Sequence, residues 1–436
     1  MTTPESAGVR WRATLFLASA TALNFGDRSA FSVVLAPLQT ELKLSNVALG
    51  VLGSLFLWSH GLGSPVAGIL ADRYPRGRLV GFSLFFWSFF ILVTGFSTGF
   101  GQLSFYRLGL GLSECLFLPA AFALVADYHA TATRGKAMSL LSMGAQSGVV
   151  LGGTSAGFLA LYFGWRSVFF VLGASGIGFA VLSGFFLRHG STVHALSPKV
   201  GAGEALRYLI KVPSYHVILA KQILAEAGTW IFIGWLPLYL LETYHMNLAQ
   251  AGFAGTFMLQ ASLIIGIAVG GMMSDSVAAH DPTRRLALLG LSCILSAPFM
   301  IVFLMKPGFY RVAASVAAAY FFRGIGTANE RPALCEVIPP QYRSTALGVM
   351  NAFSTLSGAV GVLLAGVLKS SYGLKGVFAS SSVLNLMAGL IILSGVYRYT
   401  RSDIARAREL AILQTSCFRG SLNGRTNLPS ASQSDG

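Results

Sequence analysis

The stretch FYRLGLGLSE, residues 105–114, puts Arg107 and Glu114 seven residues apart within an apolar run. Seven residues are almost two helical turns, so on a helix both side chains lie on nearly one face, about 10 Å apart. They are too distant to pair unless they lean together. One helix can therefore present a cation and a carboxylate at two depths of the same cavity. A guanidinium makes a bidentate fork with a carboxylate, which suits Arg107 to holding an anion. Upstream, NFGDR carries Asp27 and Arg28. Asp27 and Glu114 are candidates to carry a proton, and Arg28 is a cation whose partner can change when Asp27 is protonated. The blander alternative is a static charge network that ties two helices together.

A second stretch, FRGIGTANERPALCE, repeats the spacing with Arg323 and Glu330. Arg323 is a further candidate for substrate and Glu330 for a proton. Pro332 removes a backbone donor there and frees carbonyls that can line a polar pathway. Neutral polar residues on apolar stretches, Asn24, Gln146, Tyr239 and Asn329, are candidate pathway contacts. Each is also the residue type that makes ordinary interhelical hydrogen bonds. Lys221 and Glu226 read as a mutual pair or as snorkelling side chains. Glu336 reads as a gate or loop contact, and His60, among Trp58, Ser59 and Gly61, as a packed polar residue.

These residues must sit on elements that tolerate charge in apolar surroundings. The chain has 436 residues, 54% hydrophobic and only 11% charged, against about 25% charged in soluble domains. That composition belongs to a polytopic membrane protein, in which a central charge costs from about 2.5 kcal/mol upward and normally faces a cavity or a partner. With roughly 20 apolar residues per crossing, the sequence predicts an all-α integral membrane fold of twelve transmembrane helices. The first six lie near 13–35, 47–71, 79–99, 102–126, 137–161 and 166–187. The second six lie near 216–241, 250–274, 286–305, 311–338, 344–368 and 374–397. The first run carries Asn24, Asp27 and Arg28 and reads as a retained helix, not a signal peptide.

The net charge of +15 is read by position. With the N-terminus inside, interior segments hold roughly 20 Lys and Arg against roughly 6 outside. Both termini are therefore expected in the cytoplasm, and a nucleic-acid partner is not needed to explain the basic pI. The expected partner surface is the lipid bilayer, with the chain a monomer. The four cysteines lack metal or disulfide spacing.

A shift of 209 residues overlays RGKAMSLLSMGAQSGVVLGGTSAGFL on RSTALGVMNAFSTLSGAVGVLLAGVL. Arg134, Ala137, Gly152, Gly157, Gly164 and Phe169 match Arg343, Ala346, Gly361, Gly366, Gly373 and Phe378. The Arg323 and Glu330 pair follows Arg107 and Glu114 by 216 and lies outside that register. The repeat divides the chain into a six-helix half, 1–187, a cytoplasmic linker, 188–215, a second half, 216–397, and a basic tail, 398–436, partly disordered. Two parallel repeats of this kind form a transporter architecture with a midplane site between them.

Over nearly the whole chain these features resemble the major facilitator superfamily. GILADRYPRGR is similar to its G-x-x-x-D-R-x-G-R-R/K loop, with Gly68, Asp72, Arg73, Arg76 and Arg78 matching and Pro75 in place of a glycine. The second half keeps Gly271, Asp275, Arg284 and Arg285. NFGDR is close to the N-Y-x-D-R of the anion:cation symporter branch, with Phe25 replacing the tyrosine. The Arg107 and Glu114 spacing and WLPLYL are shared with that branch and with Spinster-like transporters. The resemblance implies alternating access. The Asp72 loop, with Asp275 in the second half, would act as a conformational gate that caps the helix starting near Arg343.

The expectation that follows is a secondary transporter of a small organic anion, such as a sugar acid or other carboxylate, in symport with protons. It would be a multi-pass protein of the cell membrane, of the bacterial inner-membrane type. The alternative is a Spinster-like or drug-type exporter of an amphipathic molecule or lysolipid, whose mark would be a broad apolar cavity wall. No phosphate-binding loop, metal-ligand cluster or nucleophile elbow appears, so neither enzyme chemistry nor a cofactor is expected.

Overall fold

A computed structural model describes residues 7–187, 201–278, 281, 283–305, 307–407 and 409–410. The described chain is helical. α1 (Ala7–Val33), the short α2 (Leu35–Glu41), α3 (Asn46–Arg73) and α4 (Arg76–Thr94) open the first half. α5 (Phe100–Glu114) and α6 (Phe117–Tyr128) follow, then α7 (Thr131–Phe163) and α8 (Trp165–Phe186). A short helix, α9 (Ala202–Leu209), precedes α10 (Pro213–Tyr244), α11 (Leu248–Ala278), α12 (Thr283–Ile301), α13 (Phe309–Val337) and the long α14 (Arg343–Gly395).

Among the described residues, eight stretches are long and apolar enough to cross a membrane. They become twelve crossings for physical reasons. α5 and α6 are one crossing, broken at Cys115 and Leu116 because the ring of Pro119 collides with the carbonyl four residues back. α14 is two crossings joined at Gly373, whose φ of 64° is the left-handed region open to glycine. Gly164 makes the matching bend between α7 and α8 with φ 81°, so the 209-residue repeat reproduces a turn as well as a sequence. α1, α7 and α13 complete the twelve. They are the more polar crossings: α1 carries Asp27 and Arg28, α13 carries Arg323 and Glu330, and α7 is rich in glycine and serine.

Within the first half, α7 lies directly on α1. A Cβ on Gly144, Gly148 or Gly152 would fall 2.1–2.3 Å from the backbone of Ala18, Ala22 or Gly26, the close approach that small residues at four-residue spacing permit. The two halves meet at the end away from the described termini. There Gly50 packs on Gly366, Gly153 on Thr256 and Gly157 on Leu248, and midway along the helices Gly61 meets Leu356. Toward the other end of the same helices, Gly68 and Gly348 have open space where a Cβ would stand. α9 belongs to the second half: Tyr208 stacks on Tyr342 at 4.4 Å, and Ala205 and Leu209 are buried with Ile218, Val337 and Met350.

Candidate functional site

α1, α3 and α5 from one half and α10 and α14 from the other line a partly open cavity of about 40 Å³. Arg28, Phe31 and Ser32 contribute from α1, and Gly53, Phe56 and Leu57 from α3. Arg107 contributes from α5, Trp230, Ile233 and Trp235 from α10, and Val362 from α14. Arg107 is buried, donates from Nε to the Leu52 carbonyl at 3.1 Å, and lies over the Phe31 ring at 3.9 Å and the Phe56 ring at 5.0 Å. Among the described residues, no carboxylate stands within ion-pair distance of it.

Of the charges beside it, Arg28 and Glu114 are matched to each other and Asp27 is not. Arg28 Nε donates to Glu114 Oε1 at 2.5 Å, and Arg28 Nη2 lies 3.2 Å from His60 Nε2. Asp27 turns the other way: its Oδ2 accepts from the Trp87 indole at 3.1 Å, and its Oδ1 is buried without a hydrogen-bond partner. Arg107 and Glu114 thus share a helix and divide their roles, one open to the cavity and one clamped to α1.

In the second half Lys221 pairs with Glu330 and Arg323 with Glu226, each at 2.5 Å. The mutual pairing expected of Lys221 and Glu226 does not form. One helical turn and a further residue separate them on α10, and each faces a different charge on α13. Glu330 and Arg323 line a small polar pocket with Lys221, Ser292, Ser296 and Asn385.

Several expected contacts fall elsewhere. Tyr239 is buried in an aromatic cluster with Phe303 and Phe378, away from the cavity wall. Asn329 is fully buried and donates to the Ile325 carbonyl one turn back on its own helix. Asn24 is buried on α1 beside Asp27, and Gln146 is half-buried on α7; neither is among the cavity's lining residues. His60 is not a bystander, since it touches Arg28.

At the ends near the termini, Arg76 pairs with Asp127 at 2.5 Å and Arg285 with Glu336 at 2.7 Å. Arg134 Nε and Nη2 donate to the carbonyls of His129 and Ala126, and Arg343 repeats this on Ile338 and Cys335. Every one of these pairs follows the 209-residue shift. Arg73 and Arg78 are exposed. The side chains of Asp72 and Asp275 lie outside the described residues, as does the tail from residue 411.

Phe31, Phe56, Trp87 and Trp230 were not legible as site residues. In a chain with 32 phenylalanines, a ring that covers a guanidinium looks like one that faces lipid. Trp87, the one indole of α4, was the better signal, because a buried N–H needs an acceptor.

A twelve-crossing bundle of two repeated halves, with a charged cavity between them, defines a membrane transporter. The family description "Major Facilitator Superfamily" matches residues 17–305 and 222–421, and the chain belongs to that family. It is 26% identical over 427 residues to a protein of Escherichia coli K12 named "Probable galactarate/D-glucarate transporter GarP", covering 88% of this chain and 95% of that one. It is also 26% identical over 416 residues to an "MFS-type efflux pump" of Mycolicibacterium smegmatis, covering 91% and 95%. The crystal structure of a bacterial homolog of the human lysosomal transporter Spinster, inward-facing and unoccupied, superposes with a TM-score of 0.81 at 20% identity. That match covers 91% of this chain and 99% of that one, and it shows the shared fold.

Proposed function

We propose that this transporter carries small organic anions, sugar acids or other carboxylates, in symport with protons, by rocking its two halves about the cavity at Arg107. The observation that carries the reading is the charge balance. Arg28, Lys221 and Arg323 each have a carboxylate partner, whereas Arg107 faces the cavity without one. An unpaired buried charge is costly, and a substrate carboxylate would supply the missing partner through the guanidinium's outer N–H groups. The relative named for galactarate and D-glucarate supports an organic acid.

Proton coupling rests on Asp27 and Glu114. Asp27 is a buried carboxyl without a cation at ion-pair distance among the described residues, so a proton is its available counter-charge. Glu114 is held by Arg28, so protonating Glu114 would free Arg28 to turn toward the cavity. With the described termini in the cytoplasm, as the positive charges argue, the halves are closed at the outer end. The Arg76–Asp127 and Arg285–Glu336 pairs would then sit at the inner ends of both halves as conformational latches.

The test uses purified protein in liposomes loaded with a pH-sensitive dye and challenged with a panel of organic anions. Substrate-dependent acidification that disappears in Arg107→Ala is the expected result. Full uptake against a gradient by Glu114→Gln would overturn its part in coupling. The exporter reading draws on the same cavity, whose wall is largely apolar. Lysolipid or drug movement with no response to any anion would favour it.

A further inference from the structure

We propose that the anion this cavity selects has a single carboxylate on an aromatic or compact apolar body, and that polyhydroxylated diacids are poor ligands. The inference rests on the organic-anion reading above and narrows it. It follows from counting which polar groups on the wall are still free to bind.

Ser32 Oγ donates to the Ser29 carbonyl at 2.7 Å. The Trp235 indole donates to the Val362 carbonyl at 3.3 Å. Arg28 is engaged by Glu114 and His60, and Arg107 Nε by Leu52. What remains uncommitted is chiefly the outer face of the Arg107 guanidinium, which can satisfy one carboxylate. Around it stand Phe31 and Phe56, and across the interface Trp230, Ile233 and Val362.

A sugar diacid would bring a second carboxylate and several hydroxyls into this space. Each buried hydroxyl left without a partner costs about 1–3 kcal/mol, and a second unpaired carboxylate costs more. A site built to read hydroxyls keeps polar groups aimed at them, and this wall has spent most of its own on backbone carbonyls and on Glu114 and His60, the Trp230 indole N–H excepted. A flat ring attached to one carboxylate meets the opposite situation. Its charge reaches Arg107 while its faces pack against Phe31 and the Trp230 indole, which are suited to offset or edge contacts.

The decisive measurement is equilibrium binding to the purified full-length protein in detergent, followed by quenching of tryptophan fluorescence, which needs no membrane and so avoids passive diffusion of weak acids. The probes are benzoate, phenylacetate, gluconate, galactarate and D-glucarate at one pH and ionic strength. Benzoate or phenylacetate should bind at least about a hundredfold more tightly than the diacids, two unpaired hydroxyls being enough for that ratio. Trp230→Ala should weaken the aromatic acids about tenfold and leave gluconate unchanged. Arg107→Ala should abolish binding of all five.

Equal or tighter binding of galactarate or D-glucarate would overturn the selectivity while leaving the organic-anion reading standing. Failure of every anion to bind a protein that still unfolds cooperatively would overturn both. Should Trp230→Ala unfold, Trp230→Phe replaces it, with a smaller loss for the aromatic acids alone; equal losses for gluconate would refute the ring contact.

Discussion

The Arg28–Glu114 pair makes the strongest quantitative prediction. The side chains are 11% and 0% exposed and meet at 2.5 Å, so neither charge has much water to fall back on. Glu114→Gln keeps the shape of the side chain but leaves Arg28 without a counter-charge, next to a wall that already holds Arg107. Breaking a buried pair by removing one partner costs about 3–5 kcal/mol, mostly from stranding the other charge. The midpoint of thermal unfolding should fall by roughly 3–5 °C. Arg28→Gln should cost a similar amount, and the double substitution much less than the sum, because nothing is then stranded. Arg166 and Glu41 provide the comparison, a pair 36% and 47% exposed whose removal should cost about 0–1 kcal/mol. The assay is a double-mutant cycle on full-length protein in nanodiscs, followed by intrinsic fluorescence. If Glu114→Gln costs no more than Glu41→Gln, the Arg28–Glu114 pair is solvated and the charge-balance argument for Arg107 fails with it. A stable double variant that still moves protons with substrate would show the pair to be a static clamp.

Three further outcomes follow from the same geometry. Gly152→Ala would place a methyl carbon 2.2 Å from the Gly26 Cα, so α7 must leave α1. The variant should lose monodispersity on gel filtration, while Gly178→Ala, with open space around it, should not. Glu41, at the end of the first half away from the described termini, is held below the ordinary carboxylate range by hydrogen bonds from Arg166 and then Trp165. A carboxyl whose folded pKa is depressed contributes stability that is present above its unfolded value and lost as pH falls through the folded one. Glu41→Gln should therefore flatten the stability–pH profile below about pH 4.5, while near neutrality it lowers stability slightly and leaves the slope unchanged. Arg76→Gln and Arg285→Gln each remove one of the paired contacts beneath the halves. Each should shift the balance between open states, read as a change in alkylation of a cysteine introduced at Gly53, with little loss of anion binding.

Much of the fold was legible because the bilayer demands it. Crossing lengths and the repeat that divides the chain leave marks that a single chain displays, whereas Gly164 and Gly373 match there as repeat positions and show as turns in the structure. Charges were legible for the same reason: in apolar sequence, Arg107 and Glu114 cannot be accidental. Pairing was not. Lys221 and Glu226 are close in sequence, and only the approach of α13 to α10 shows that each belongs to a different partner. Tyr239 looked like a pathway residue because phenols often are, but Phe303 and Phe378 close around it from helices distant in sequence. A tyrosine bound for a cavity and one bound for an aromatic core read alike.

The two i,i+7 charge pairs show how a spacing can mislead and then inform. Arg323 and Glu330 look like a copy of Arg107 and Glu114, yet the 209-residue shift lays Arg323 on Glu114 and Val316 on Arg107. The ion pairs agree with the shift. In the first half the cation is on α1 and the carboxylate on α5; in the second the carboxylate is on α10 and the cation on α13. The repeat has kept a charge bridge between the first and fourth crossings of each half; in the second half Arg323–Glu226 reverses its polarity and Lys221–Glu330 keeps it. At the place of Arg107 the second half has Val316, fully buried. Among the described residues, the cavity-lining cation without a carboxylate partner therefore lies in the first half. An anion on Arg107 would engage the other half through Trp230, Ile233 and Val362, so the contacts that would change as the halves rock are the apolar ones. Binding strength would then be set by the first half, and discrimination among anions of equal charge by the second.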